Sequence, residues 1–486
     1  MIPVLLIFIP LLSGLLLFAV NNAKTAKNAA LVSSIVTLGV SITGLLMVQN
    51  SAHLVCNISW IPALGSRFRV ELDGMGQLVC LLTALSFPLI FVATYQNEYR
   101  NANRFFALML LSQAGLMGVF LAKDALLFYF FWELALIPVY FLCSIWGGEK
   151  RIGVTFKFFL YTFLGSLFML VAIIYLYFQA NQSFAIESFY ALKLPGRTES
   201  WLFWLFFIAF AIKMPIFPFH TWQPDTYEQS PTAVTMVLSG IMVKMGIFGL
   251  IRWVMPVVPM GAWSWGDTVS LLAVIGIIYA SLVAMQQDDL KRLVAYSSIA
   301  HMGLMCLAVF ATTKSGMQGV MIQMFNHGIN ILGMWIVVNA IEQKFQTRKM
   351  SELGGLAQKA PGLAILLVIV ALANIALPLT NGFVGEFLMF NGVLSSTATK
   401  YNVVFTVIAG LSVILAAVYT LNMIQKVFYG NTNTLTASGT DVSLNVKIAL
   451  ILIVVLIFAG GIYPKPMLAV TNDLSDAILS RMNLRY

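Results

Sequence analysis

Charge is what this sequence has least of. Only 10% of its 486 residues are charged and 60% are hydrophobic, against about a quarter charged in a soluble domain, so a water-soluble globular chain is excluded. The formal net charge of +9 does not indicate nucleic acid either, because no run of about five or six basic residues occurs and the aromatics lie inside apolar runs. Cysteine is scarce as well. The four present, Cys56, Cys80, Cys143 and Cys306, stand far apart in no CxxC or Cys/His ligand pattern, which leaves them as unpaired structural residues. There is no GxGxxG, no Walker A loop and no haem-type CxxCH, so nucleotides and redox cofactors, if the process needs them, are held elsewhere. No A-x-A cleavage pattern follows the apolar run 2–20, which reads as a retained first span rather than a signal peptide.

Apolar runs are what the sequence has in abundance. About fourteen can be traced, each of roughly 17 to 25 residues, the length at which a helix crosses ~30 Å of hydrocarbon; barrel strands would be about 10 residues long and alternating. The expected class is an all-α polytopic membrane protein with about fourteen transmembrane helices. Between the second and third runs, FRVELDG (68–74) alternates apolar and charged residues, which predicts a short surface hairpin. With the N-terminus outside, fifteen Lys and Arg fall in inner connections and eleven in outer ones, the bias that orients membrane proteins. An even number of spans returns the C-terminus to the outside.

Two runs are interrupted. AIKMPIFPFHTWQPD (211–225) carries Pro215 and Pro218, and NIALPLTNGFVGEF (374–387) carries Pro378, Asn381 and Gly382. Proline removes a backbone donor and clashes with the preceding turn, and irregular backbone persists in a bilayer only where it lines a polar cavity or is buried in protein. Paired interruptions mark transporter repeats and their ion sites. These two fall in the seventh span (201–218) and the twelfth (361–397), an odd offset that inverts topology. The chain then divides into helices 1–3 with the hairpin (1–103), a first five-helix repeat (104–260), an inverted second repeat (261–430), and a last helix with its tail (431–486).

A glutamate sits inside FYFFWELALIPVYFL (128–142). A charge within a span costs roughly 2.5 to 3.5 kcal/mol, and each Leu, Ile, Phe or Val returns about 0.3 to 0.6 kcal/mol, so a span can carry one charge but hardly two. One per span is the pattern: Glu133 in the fifth, Lys244 in the eighth, His301 in the tenth, His327 in the eleventh, with Lys213 and Glu386 beside the two breaks. Glu133 and Lys213 form either a structural ion pair locking two helices or part of a charge pathway. Lys244 has no comparable carboxylate near it in sequence, and a lysine without a counter-ion in low dielectric can release and regain a proton near neutral pH. A lone buried histidine is as readily a hydrogen-bonded core residue. Here Ser297 and Ser298 share the face of His301, and Gln323, His327 and Asn330 share another. Such polar stripes suit hydroxyls, amides and water handing a proton along; a metal would want further His or Cys, and none is suitably spaced.

The motifs FFWELALIPVYFLCSIWGG (130–148), FAIKMPIFPFHTWQPD (210–225), IMVKMGIFGLIR (241–252), DDLKRLVAYSSIAHMG (288–303) and FVGEF (383–387) resemble the antiporter-like subunits of proton-pumping NADH:quinone oxidoreductase, respiratory complex I. The tryptophan before Glu133, the glutamate at 386 and a tail after Tyr463 without a long lateral helix look like the M-type branch. The second break reads ALPLTNGF where bacterial members often have proline-glycine-threonine. The resemblance implies two inverted five-helix repeats and a proton channel built on Glu133, Lys213, Lys244 and Glu386, with His301 and His327 in the central polar axis. In it Glu133 would tune the proton affinity of Lys213, Lys244 would carry the proton centrally, and Glu386 would pass it on. The resemblance also implies a translocase subunit with no cofactor of its own, FMN and iron-sulfur clusters in partner subunits, neighbours among the other membrane-arm subunits, and a place in the bacterial inner membrane with both termini on the periplasmic side. Two alternatives stand beside it. One is a subunit of the related multi-subunit sodium/proton antiporters; the other is a passive scaffold, against which every ionisable position of the motifs is still occupied.

Overall fold

The computed structural model describes residues 1–47, 51–437 and 439–483. Among these, eleven helices are long and apolar enough to cross a bilayer. The other expected spans hold Ile2–Leu17, Gly196–Lys213, and the pair Pro361–Asn374 and Asn381–Leu394. Short polar side chains mark several starts by accepting the first free N–H groups. Asp124 accepts from Leu126 and Leu127 at 3.1 Å, Asp289 from Lys291 at 2.8 Å, and Thr313 from Gly316 at 3.2 Å. These caps begin the helices of Glu133, His301 and His327. At ~1.5 Å rise per residue the three side chains lie about 13, 18 and 21 Å along their helices, within the middle of a ~30 Å core.

Burial separates an inner set from an outer one. The most apolar stretches of Thr232–Val257, Leu290–Phe310 and Lys314–Phe345, which carry Lys244, His301 and His327, are 100% buried, against 28% for Asn402–Phe428 and Leu444–Ile462. Polar groups in the inner helices therefore face protein, and the outer helices turn Leu, Ile and Val outward as a lipid-facing surface needs. All four cysteines are free.

The seventh helix ends at Lys213 rather than 218, because Pro215 and Pro218 cannot continue it. The chain resumes helix at Trp222–Gln229, and the Trp222 indole donates to the Ile212 carbonyl at 2.9 Å, supplying a donor that the break withdraws. At the second break Leu379 takes a left-handed φ of 76°. A non-glycine residue there stores about 1 to 3 kcal/mol, so Pro378-Leu379-Thr380 keeps a turn that glycine would make without strain.

The predicted hairpin is present and longer than its sequence signal: Val55–Ile61 pairs antiparallel with Ser66–Glu71, Val55 opposite Glu71, turning through Gly65 at φ 66°. Ser66 and the Arg67 N–H both donate to the Asp124 carboxylate at 3.0 Å, which fixes the hairpin to the start of the Glu133 helix. Nearby, Asp73 accepts from Lys123 at 2.8 Å and from Arg252. Burial alone would raise the Asp73 carboxyl, but the two cations outweigh it and hold it well below the usual carboxylate range. A carboxylate held ionised in this way ties helices together and cannot wait as an acid.

The tail holds one further element. Lys465–Asn483 is a helix, too polar along its length to be seen by hydropathy. It straps the periphery: Asp476 pairs with Lys314 at 2.7 Å, and the Arg481 guanidinium lies 4.5 Å from the Tyr190 ring centre.

Candidate functional site

The Thr232–Val257 helix is irregular around Lys244. Its turns Leu238–Met242 and Leu250–Val254 are π-helical, and the first moves the Val243 N–H onto the Leu238 carbonyl, five residues back. Widened turns of this kind are rare and gather at functional sites. Lys244 is fully buried, and its Nζ donates to the Ser239 carbonyl at 2.7 Å and lies 2.9 Å from Nδ1 of His327. The close approach of the two helices depends on Gly328, where a Cβ would stand 2.6 Å from Leu82 and 2.9 Å from the Gly240 carbonyl.

His327 in turn faces His301, with ring centres 5.2 Å apart, and His301 Nδ1 lies 3.1 Å from Glu386 Oε1. All four side chains belong to residues no more than 8% exposed. Both Nδ1 atoms are thus engaged, one by Lys244 and one by Glu386. Among the described residues both Nε2 atoms are without a hydrogen bond. When Lys244 donates to Nδ1 of His327, that ring carries its own proton on Nε2, while His301 donates to the carboxylate from Nδ1. Gly385 lets the Glu386 helix close on the His327 helix; a Cβ there would meet Gln323 Oε1 at 2.2 Å.

Amides of the His327 helix support the second break. Asn326 donates to the Asn381 carbonyl at 2.7 Å and Asn330 to the Ala373 carbonyl at 3.1 Å, so carbonyls at the break find donors inside the protein. Asn374 and Tyr419 both donate to Ser297 Oγ, at 3.2 and 3.0 Å. Tyr419 shares a small cavity with His301, Glu386, Ser281 and Ser412. The sequence marks Ser297 and Asn330; it does not single out Asn326, Asn374 or Tyr419. A second polar residue directly before His327 is a usable signal, whereas a tyrosine inside an apolar run reads as core.

Glu133 and Lys213 form a separate pair. Lys213 is the last residue of its helix and 1% exposed, and its Nζ makes no hydrogen bond among the described residues and lies 5.5 Å from the Trp132 ring centre, a cation–π distance. Glu133 is its charged neighbour, yet Glu133 Oε1 is also without a hydrogen bond. The two do not close into an ion pair, so the structural lock weighed from sequence is not formed. Among the described residues no hydrogen bond or ion pair joins Glu133 or Lys213 to Lys244, His327, His301 and Glu386, which adjoin one another. Among the described residues no set of three or more His, Cys, Asp or Glu is placed to hold a metal ion.

Residues 122–412, which include all six positions, match the family described as NADH:quinone oxidoreductase/Mrp antiporter, transmembrane. The chain belongs to this family. It is 36% identical over 478 residues to NADH-quinone oxidoreductase subunit M of Rickettsia typhi, covering 96% of each protein. Among solved structures, a chain of respiratory complex I from Thermus thermophilus with bound NADH superposes with a TM-score of 0.91 at 29% identity, over 99% of this chain and 100% of that one. A chain of the Mrp complex from Dietzia sp. DQ12-45-1b reaches 0.88 at 18% identity, over 100% and 99%, a likeness of fold alone. The expected all-α, multi-pass membrane class holds.

Proposed function

We propose that this chain is the M-type proton-translocating membrane subunit of an NADH:quinone oxidoreductase, driven by redox chemistry in partner subunits that hold the FMN and iron-sulfur clusters. The observation that carries the proposal is the buried file Lys244, His327, His301, Glu386, in which each member lies beside the next. A proton on Lys244 passes to Nδ1 of His327, whose Nε2 proton then leaves. The step between the rings requires a water that reaches both unpartnered Nε2 atoms, the kind of partner that buried polar atoms without a protein bond take. His301 accepts at Nε2 and releases its Nδ1 proton to Glu386. One proton enters and one arrives. Each ring ends with its proton on the other nitrogen and must be reset, so the file carries protons one at a time.

Glu133 acts on Lys213 by charge: ionised, it favours the ammonium, and neutral, it lets the proton go, an effect that low dielectric enlarges. The two broken helices fit inverted repeats at 104–260 and 261–430, with both termini outside. A cysteine placed near Met1 is expected to react with an impermeant reagent in intact cells; reaction only after lysis would reverse the orientation. The functional assignment is tested by purifying the tagged chain from native membrane. Flavin and iron-sulfur subunits are expected to accompany it, and recovery with antiporter-type subunits alone, free of any redox protein, would move the chain to the sodium/proton branch.

A further inference from the structure

The relay proposed above begins at Lys244, which is fully buried, and nothing in it says how a proton reaches that lysine. At the Thr232 end of the same helix lies a polar cavity of about 640 Å³, opening beside exposed Glu149 and Lys150. An ion pair between a buried lysine and a half-buried glutamate closes its inner wall. Lys291, 3% exposed in its side chain, pairs with Glu342 Oε2 at 2.9 Å, and the same oxygen accepts from Thr232 Oγ1 at 2.7 Å. Arg348 stands 3.6 Å from the other carboxylate oxygen.

From Thr232 a line of hydroxyls continues inward. Thr232, Thr235 and Ser239 are spaced i, i+3, i+7 and so share one helix face. Thr235 Oγ1 donates to the Tyr227 carbonyl at 3.3 Å, and Gln223 and Ser239 are the polar neighbours of the Tyr227 hydroxyl. Gln223, Tyr227, Thr235 and Ser239 are all fully buried. Among the described residues the Tyr227 hydroxyl, Ser239 Oγ and both amide atoms of Gln223 make no hydrogen bond of good geometry, though they lie beside one another, an unusual concentration of polar atoms left for water. The line ends at Ser239, whose carbonyl holds Lys244 Nζ at 2.7 Å.

We infer that the Lys291–Glu342 pair is the gate through which protons from the cavity are admitted to Lys244, by way of Thr232, Thr235, Tyr227 and Ser239. Cavity water gives a proton to the Glu342 carboxylate, and the neutral acid releases Lys291, which has the Ser230 carbonyl within 3.4 Å. Glu342 then passes a proton to the hydroxyl and water line, each member accepting one proton and giving up its own, until the lone pair of an uncharged Lys244 takes the last. Glu342 is again a carboxylate and regains Lys291. One proton leaves the water and one rests on Lys244. The inference rests on the relay reading, and its test keeps the two apart.

The test uses the assembled complex in native membrane vesicles and reads NADH-driven proton pumping in H2O and D2O for Tyr227→Phe, Glu342→Gln and Glu342→Asp, with Lys244→Ala alongside. Tyr227→Phe deletes one oxygen that makes no hydrogen bond of good geometry among the described residues, so its effect on packing is small. As a member of the line, its loss is expected to slow pumping at least about tenfold and to raise the solvent isotope effect. Glu342→Gln is expected to do the same, and Glu342→Asp to retain most of the rate. Parental pumping and isotope effect in Tyr227→Phe overturn the gate. So does a slowed Glu342→Gln with an unchanged isotope effect, the signature of a purely structural pair. If Glu342→Gln does not assemble, Tyr227→Phe decides alone. Silent gate variants beside an inactive Lys244→Ala would leave the relay standing, whereas full pumping in Lys244→Ala would remove the relay itself.

Discussion

Lys244→Ala is expected to leave the complex assembled and to cut proton pumping through this chain deeply, and coupled electron transfer with it. Assembly is expected because, among the described residues, Lys244 bonds only the Ser239 carbonyl and the His327 ring. Its removal strands no opposite charge, and the loss is of the order of 1 to 3 kcal/mol for each acceptor left without a donor. The functional loss is larger, since a positioned proton carrier contributes roughly 100-fold to 10,000-fold. Lys244→Arg is expected to fail too, because arginine keeps its proton in proteins. The measurement is proton uptake into vesicles beside NADH:quinone turnover in the same preparation. Full pumping in the arginine variant would mean that a fixed positive charge is all the position requires.

Glu386→Gln is the second large effect. His301 Nδ1 lies 3.1 Å from Glu386 Oε1, and a glutamine oxygen can still accept from that nitrogen, so the substitution leaves the histidine partnered and removes only the exchangeable proton. The variant is expected to assemble and pump poorly. Glu386→Asp keeps the acid on a shorter arm and is expected to retain part of the activity. Protons pumped per quinone reduced separate the three proteins. A glutamine variant equal to the parent, beside an impaired aspartate variant, would show that length and packing matter at this site and would withdraw the relay role of Glu386.

The ionisable residues are legible in the sequence for an energetic reason: a charge in an apolar run is expensive, so Glu133, Lys213, Lys244 and Glu386 stand out against their surroundings. The helices are legible from the same runs. Connections between the residues are not. No pattern of spacing says that Lys244 reaches His327 while Glu133 and Lys213 remain apart, because the first contact depends on a π turn at Leu238–Met242 and the absence of a Cβ at Gly328. Tyr227 and Tyr419 are hidden because their rings satisfy the apolar pattern and their hydroxyls do not disturb it. The Lys465–Asn483 helix is hidden for the opposite reason: its mixed face resembles a loop until it is seen packed against Lys314 and Tyr190. The hairpin shows both cases, its second strand alternating clearly and its first strand not.

Whether Lys244 and Glu386 serve one file is tested most directly by combining Lys244→Ala with Glu386→Gln. Protons pumped per quinone reduced are measured in vesicles for each single variant and for the double. Members of one serial path are strongly non-additive, so the double variant should lose no more than the worse single one. Losses that multiply, with each single variant keeping part of its pumping and the double keeping less than either, would place the two residues on independent routes and contradict the file.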